Sequence, residues 1–287
     1  MHLVVDLSNV AWIKRFGHLR TKTKESYAKE LICQEVLNQI FTVYKQYSCS
    51  NLIIAVDGKN TWRKDKYEFY KANRDTTYDL YFDEVMGAID EIKNFFSDST
   101  NCYCVKVEGA EADDVIYVLS KQLQDNLVVL SNDGDFHQLL KNGTTLFNPI
   151  KKEEKESVDP DYDLFLKCFR GDRGDNILSA YPNLRETKIK KAYSDPYEKM
   201  NLMNETLKDG TLVSESFEFN RSLIDLSCSP DWIRDNIKDE ISRQQSLERT
   251  YSYMKVLKNL KNMGIKSYAL KNLDQHVFIL KGKKDIF

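Results

Sequence analysis

No apolar run among the 287 residues is long enough to span a bilayer, and the N-terminus lacks the basic-then-apolar profile of a secretory leader. Both absences point away from the membrane and toward a cytoplasmic chain. Cysteine is sparse, with six residues (33, 49, 102, 104, 168 and 228) scattered along the chain. The only close pair, Cys102 and Cys104, does not make a zinc knuckle, so reduced thiols are expected. There is no internal repeat and no low-complexity tract. Net charge is only −2, which by itself says nothing about nucleic acid, so the distribution of charge has to be read instead. Hydrophobic residues at 41% suffice for a core, and the length suits one large α/β domain or a domain with a smaller partner.

What the chain does have is a repeated grammar of short apolar strands that end in acids. Leu127-Val128-Val129-Leu130 reads as a buried strand and runs into Ser131-Asn132-Asp133-Gly134-Asp135. Leu3-Val4-Val5 runs into Asp6, and Leu52-Ile53-Ile54-Ala55-Val56 runs into Asp57 and Gly58. In an open parallel α/β sheet the carboxyl ends of the strands line one crevice, where such folds bind ligands. Glu111, Asp113 and Asp114 stand ahead of an apolar helical pattern, and Asp172 and Asp175 lie in Gly171-Asp172-Arg173-Gly174-Asp175-Asn176. Converged, these would gather nine carboxylates.

Helical spacing predicts helices over about 26–47, 83–96 and 111–122, and strands are expected at 102–107 and 144–147. Residues 9–20 read only as polar and basic. The strand–helix alternation up to about residue 150 argues for a parallel sheet covered on both faces. Residues 151–161 form a charged run without apolar periodicity, expected to be a linker. Helical patterns follow at 163–170, 185–193, 196–207 and 217–226, then as one long helix over 230–263 interrupted near Gln244. The expected division is an α/β domain of residues 1–155 and a helical domain of residues 156–287.

Packing carboxylates together is costly unless something offsets their repulsion. Two unit charges ~4 Å apart repel by about 4 kcal/mol at an effective dielectric of ~20. Either several of these acids are protonated or divalent cations sit among them. A single Asp after a strand is usually a turn former or helix cap, and acids in a first helical turn favour the macrodipole. Five clusters, each on an element that reaches the crevice, favour metal instead. Oxygen-only ligands, with no histidine or cysteine among them, suit Mg²⁺ or Mn²⁺ rather than zinc.

Residues 59–74 carry six basic residues against two acids, with four aromatics interleaved. Such a run is ordinarily a solvated face, but this one begins directly after Asp57, at the rim of the crevice. Its lysines and arginines, Arg63 and Lys64 among them, can neutralise phosphates, while Trp62, Tyr67 and Tyr70 can stack on unpaired bases. A two-metal carboxylate site beside a phosphate-binding ridge is the arrangement for hydrolysing a phosphodiester. Two rivals come from other classes. A non-catalytic binder of nucleic-acid junctions that keeps the fold would be favoured by loss of an acid, and none is lost. For a phosphatase acting on a small substrate, the long basic-aromatic segment is excessive.

The ordered series Val5-Asp6, Val56-Asp57-Gly58, Trp62-Arg63-Lys64, Tyr70-Lys71-Ala72-Asn73-Arg74, Glu111-Ala112-Asp113-Asp114, Ser131-Asn132-Asp133-Gly134-Asp135-Phe136 and Gly171-Asp172-Arg173-Gly174-Asp175-Asn176 resembles the 5′→3′ exonuclease and flap endonuclease family. Within that family the likeness is greatest to the ribonuclease H branch of T-even bacteriophages. Order and spacing match from residue 5 to about 176, and Phe219-Asn220-Arg221-Ser222-Leu223-Ile224-Asp225-Leu226 also looks like the family. The resemblance implies a PIN-like α/β nuclease domain followed by a smaller helical domain with a helix–three-turn–helix element. It implies two Mg²⁺ ions, replaceable by Mn²⁺, and removal of RNA primers and 5′ flaps during phage DNA replication. The implied substrates are DNA with 5′ flaps or free 5′ ends and RNA–DNA hybrid. A sliding clamp and a single-stranded-DNA-binding protein are the implied partners of a monomer in the host cytoplasm.

Carried over residue by residue, Asp6, Asp57, Glu111, Asp113, Asp114 and Asp133 would mainly build the first metal site. Asp135, Asp172 and Asp175 would mainly build the second. Lys71 and Arg74 match residues that contact the scissile phosphate at the base of a helical arch, and Tyr70 one that stacks on the adjacent base. One stretch departs from the family. Residues 177–192 contain no glycine where the family has a glycine-rich duplex-binding hairpin. Side chains, Lys188 and Lys191 first, are therefore expected to replace the backbone cradle, with little preference for K⁺ over Na⁺. The C-terminal Lys283-Lys284-Asp285-Ile286-Phe287 has the look of a clamp-binding peptide, though a frayed tail or folded edge is the plainer expectation.

Overall fold

The computed structural model describes residues 1–21, 28–74, 81–247, 251–266, 273–282 and 286. Six strands form one sheet: β1 (His2–Asp6), β2 (Asn51–Val56), β3 (Tyr103–Lys106), β4 (Leu127–Leu130), β5 (Thr145–Asn148) and β6 (Glu153–Lys155). Their order is β3-β2-β1-β4-β5-β6, parallel except for the antiparallel edge strand β6. The chain runs outward from β1 through β2 to β3, then returns to place β4 on the other side of β1. The order therefore reverses between β1 and β4, which opens a crevice at their carboxyl ends. β1, β2 and β4 are almost wholly buried, which explains why they read as continuous apolar runs rather than alternating ones.

Helices cover both faces. Helix α1 (Leu7–Thr21), α2 (Ala28–Gln46) and α4 (Phe82–Ser99) pack on one face, while α5 (Ala112–Leu123) and the 3₁₀ helix Asp135–Asn142 lie on the other. The stretch read only as polar and basic is α1, whose Leu7, Val10 and Ala11 sit at i, i+3 and i+4 and are fully buried. A short helix, α3 (Trp62–Lys66), opens the basic segment.

Beyond the sheet, α6 (Pro160–Arg170), α7 (Glu186–Ser194), α8 (Pro196–Met203) and α9 (Val213–Ile224) close round their own core. Phe165, Phe169 and Phe217 form its centre, with ring centroids 4.7–5.3 Å apart. Asp159 caps α6, accepting the Tyr162 N–H with Pro160 next in the chain, so the helix begins earlier than the apolar pattern implies.

Two expectations change here. The charged linker 151–161 contains β6, whose pairing with β5 leaves Glu153 and Glu154 in solvent while Lys155 turns in to the Asn132 and Asp133 carbonyls; the charge belongs to a sheet edge. The division at residue 155/156 also fails to follow the packing. Helix α10 (Asp231–Ser246) buries Ile233, Ile237 and Ile241 with α5 and the sheet. Helices α11 (Tyr253–Asn262) and α12 (Leu273–Lys281) add Val256, Leu260, Ile279 and Leu280 to the opposite face. The independent helical core therefore ends near residue 224, and the C-terminal segment returns to the sheet. Of the tail, 283–285 and 287 lie outside the described residues, while Ile286 is buried in the core. Among the described residues no helix is long and apolar enough to cross a membrane.

Gly58, directly after Asp57, fixes the crevice edge. Its N–H donates to the Ala110 carbonyl at 2.8 Å, and a Cβ would lie 2.8 Å from that oxygen and overlap the Val107 carbonyl. Gly58→Ala should therefore cost about 1–3 kcal/mol or more and lower Tm by several degrees. A melting curve within a degree of wild type would show that the two loops are not packed this closely.

Candidate metal and nucleic-acid site

Parallel strands in register bring their terminal acids to one edge. Asp6 ends β1 and is buried; its Oδ1 accepts the Asn9 N–H at 3.1 Å and its Oδ2 accepts the Ser131 hydroxyl at 3.0 Å. Asp57 follows β2 and accepts the Ser8 hydroxyl at 2.5 Å and the Ala112 N–H at 2.9 Å, which ties it to the start of α5. Beyond β4, Asp133 Oδ1 accepts the Asp135 N–H at 2.9 Å. Among the described residues, Asp6, Asp57, Asp113 and Asp133 make no ion pair with a basic side chain; the pairs at the site all involve other acids.

Their proton affinities register this lack. Burial, reinforced by the Asp57 and Asp133 carboxylates, pushes Asp6 up to about 7. Burial, with Asp133, Glu111 and Asp6 nearby, pushes Asp113 well above the carboxylate range. A set of oxygen donors that resists full ionisation without a counter-charge fits a hard divalent cation.

The second group is Asp135, Asp172 and Asp175, which each offer an oxygen within 4.8 Å of the others. This group holds a cation already. Lys167, in the last turn of α6, donates to Asp135 and to Asp172 Oδ2, the latter at 2.6 Å. Burial raises Asp135 to about 6 despite Lys167. Asp172 is also burdened by burial, but Lys167 and the N–H groups of Gly174 and Asp175 outweigh it and hold the carboxyl below its usual value. Nothing in the sequence marks Lys167, which lies five positions before Asp172 across a turn, a spacing that no helical or strand period picks out.

Asp114 and Glu111 are occupied differently from the expectation. Asp114 is fully buried, and its Oδ2 accepts from Trp62 Nε1 at 3.1 Å, Arg63 at 3.2 Å and the Glu111 N–H at 2.9 Å. Its Oδ1 accepts a second Arg63 nitrogen at 3.2 Å, so no side of this carboxylate is left for an ion. As a direct metal ligand Asp114 is corrected to a helix cap and anchor for Arg63. Glu111 accepts Arg63 at 2.8 Å and the Tyr70 hydroxyl at 3.0 Å on one oxygen, and Lys71 at 2.5 Å on the other. Burial disfavours its charge, yet Lys71 and Arg63 outweigh burial and keep it ionised.

The basic-aromatic segment is likewise turned partly inward. Arg63 is 1% exposed, with Nε on the Leu223 carbonyl at 3.0 Å, so no phosphate reaches it; the expected nucleic-acid contact is a core ion pair. Trp62 and Tyr70 are buried as well, which corrects the stacking expectation for both. The Tyr70 hydroxyl lies 3.0 Å from oxygens of both Glu111 and Asp175, and its one proton joins the two acids. Beside Tyr67 two rings are exposed, Phe69 and Phe219, each edge-on to it with centroids 5.8 and 5.3 Å away. Lys64 stays exposed on α3. Lys71 holds a left-handed backbone (φ +57°), a strained choice for lysine that aims its ammonium at Glu111. Arg74 pairs with Asp175 at 2.6 Å and is more than half exposed.

Nor are the hairpin lysines free: Lys188 pairs with Glu205 at 2.6 Å and Lys191 with Glu198 at 2.5 Å. The missing glycines are replaced by asparagine. Asn176 and Asn183 take φ of +60° and +61°, and Tyr181-Pro182-Asn183-Leu184 closes a turn with Leu184 N–H on the Tyr181 carbonyl at 3.3 Å. The glycine-free stretch therefore still reaches a left-handed conformation, at Asn183.

A reversed parallel sheet with acids at its strand ends defines a class, and the N-terminal resolvase-like domain of 5′–3′ exonucleases matches residues 1–164. The chain belongs to that family. The flap endonuclease of Escherichia phage T5 is 28% identical over 193 residues, which cover 61% of this chain and 63% of that protein. DNA polymerase I of Rhizobium leguminosarum is 30% identical over 128 residues, 41% of this chain but 12% of the polymerase. The chain thus spans less than two thirds of either relative. A crystal structure of the T5 flap endonuclease with DNA and metal ions superposes with a TM-score of 0.64 at 20% identity, over 85% of this chain and 99% of that one, and shares its fold.

The raised carboxyls imply a pH response in metal-free protein. A group whose folded pKa lies above its unfolded value lends stability that is complete below the unfolded pKa and lost as pH rises through the folded one. Asp6, near 7, and Asp135, near 6, should therefore make the protein in EDTA melt a few degrees higher at pH 6 than at pH 8. His2 and His137, both lowered by burial, act in the opposite sense below the ordinary histidine pKa. Asp6→Asn should flatten the rise, and Mg²⁺ at pH 8 should restore Tm in wild type. A wild-type Tm that stays flat or falls over that window would count against the clustering.

Proposed function

We propose that this chain is a Mg²⁺-dependent 5′→3′ exonuclease and flap endonuclease with ribonuclease H activity, removing RNA primers and 5′ flaps during phage DNA replication in the host cytoplasm. The observation that carries the reading is the group Asp135, Asp172 and Asp175, whose oxygens lie within 4.8 Å of one another, adjoined through Asp133 by the buried acids Asp6 and Asp113, which with Asp57 feel one another's charge and make no ion pair among the described residues. The capture of the T5 relative with DNA and metal ions supports nucleic acid as the substrate.

The four-carboxylate group would hold one divalent ion and Asp135, Asp172 and Asp175 a second. When bound, such a pair lowers the pKa of a water and neutralises charge on the attacking and leaving oxygens. The chain's own residues do the positioning. Lys71 and Arg74, at the rim beside Glu111 and Asp175, offer donors to a phosphate held over the ions. Tyr70 fixes those two acids from beneath, and Phe69 presents the ring on which an unpaired base can stack.

Digestion of 5′-labelled flap, nicked and RNA–DNA substrates, with and without Mg²⁺, tests the reading. Metal-dependent release from the 5′ side is expected, and no cleavage of any of the three in Mg²⁺ or Mn²⁺ would refute it. Asp133→Asn should cut the rate on the order of a hundredfold to a thousandfold or more while leaving DNA binding intact or tighter, because a charge facing phosphate is gone.

Tyr70→Phe separates two roles. If the hydroxyl positions Glu111 and Asp175, the single-turnover rate should fall roughly tenfold to a hundredfold, the worth of a hydrogen bond to a charged group. A ring that serves only to fill the core would leave that rate unchanged.

A further inference from the structure

The two carboxylate groups differ in one respect that bears on how they fill. Among the described residues no basic side chain pairs with a carboxylate of the first, the nearest being Lys155 on the Asn132 and Asp133 carbonyls at 2.7 and 3.2 Å, whereas the second already contains the Lys167 ammonium, bonded to Asp135 and to Asp172 Oδ2. Lys167 is delivered there by the fold. Helix α6 crosses the 3₁₀ helix that begins at Asp135, then ends at Gly171, whose N–H closes on the Lys167 carbonyl at 2.8 Å. Gly171 takes φ +71° and turns the chain back beneath Lys167, and a Cβ there would overlap the Ile177 and Leu178 carbonyls. Asp172 and Ile177 then pair, each N–H on the other's carbonyl at 2.9 and 2.7 Å, which holds Asp172 below the ammonium. Lys167 keeps 27% of its side chain exposed, so the ammonium has a path to solvent.

We propose that Lys167 is the resident counter-cation of the second group and a positioning residue that must swing out before a divalent ion binds there. The inference rests on the two-metal reading above and concerns the order of filling. A monovalent ammonium holds Asp135 and Asp172 close when the ion is away and offsets their repulsion. It also occupies the donor atoms an ion would use, and divalent binding has to displace it. The first group, with no such occupant, fills first and more tightly. The second fills only at higher concentration, and its filling frees an ammonium at the mouth of the crevice.

Mn²⁺ binding to the whole chain, followed by isothermal titration calorimetry and by the loss of free-ion electron paramagnetic resonance signal, tests this without reference to cleavage. Wild type should show one tighter and one weaker site. Lys167→Met, which keeps the stem and removes the charge, should tighten the weaker site on the order of tenfold or more and leave the tighter one unchanged. Lys167→Arg, which keeps the charge, should leave the weaker site weak, and it stands in if the methionine variant fails to fold. A second site that is unchanged or weakened in Lys167→Met, or tightened equally in Lys167→Arg, would overturn the inference while leaving the metal reading intact. Absence of any Mn²⁺ binding in wild type would instead overturn the metal reading itself.

Discussion

The buried guanidinium of Arg63 is the interaction on which the rest of the site depends. It pairs with Glu111 and Asp114 and reaches the Leu223 carbonyl, so one side chain joins the basic segment, the start of α5 and the end of α9. Three segments far apart in sequence are thereby set against one another at the floor of the crevice. A charge that is 1% exposed persists only where its hydrogen bonds are met, and here both acids and a backbone carbonyl meet them. Replacing Arg63 would leave Glu111 and Asp114 buried without their shared partner, which costs far more than the pair contributes when intact.

That arrangement sorts the nine acids. Asp114 is consumed structurally, and Glu111 becomes a hub that carries Lys71 and Tyr70. Asp6 and Asp57 accept from hydroxyls and backbone N–H groups, Asp133 accepts a backbone N–H, and among the described residues none of these nor Asp113 pairs with a basic side chain. Neutral donors orient a carboxylate without cancelling its charge, so these four keep their pull on a cation. The second group is intermediate, shared between Lys167 and Arg74. The same residue type therefore does three jobs, and the partner decides which.

Much of this was legible beforehand. Strand ends followed by Asp57-Gly58 or by Asp133-Gly134-Asp135 declare themselves, since apolar period and turn chemistry coincide there, and the parallel order followed from strand–helix alternation. What could not be read is direction. Arg63 and Tyr70 lie in a run whose composition is that of a solvated face, and nothing local marks which side chains turn inward. Helix α10 shows the same gap: Ile233, Ile237 and Ile241 declare an amphipathic helix but not which layer they cover, so nothing local marks the return of the C-terminal segment to the sheet. The hairpin failed for another reason. Absence of glycine does not mean absence of positive φ, because asparagine, whose short side chain bonds locally, reaches it at position 183 and, just before the stretch, at 176.

Direction also settles what the basic residues can do. Counted along the chain, residues 59–74 suggest an outward ridge of positive charge, yet Arg63, Lys71 and Arg74 are all engaged with acids, as Lys167 is from the other side. A phosphate approaching the crevice itself meets cations already paired with acids, while Lys59, Lys64 and Lys66 stay exposed farther along the segment. In the two-metal reading proposed above, a divalent ion on Asp135, Asp172 and Asp175 would take over the partners of Lys167 and Arg74, so that an ammonium and a guanidinium would become available together at the rim. Metal loading and phosphate affinity are then two faces of one exchange of partners. A net charge of −2 is no obstacle to binding a polyanion under that exchange, because the relevant potential is that of the loaded crevice and not of the bare chain.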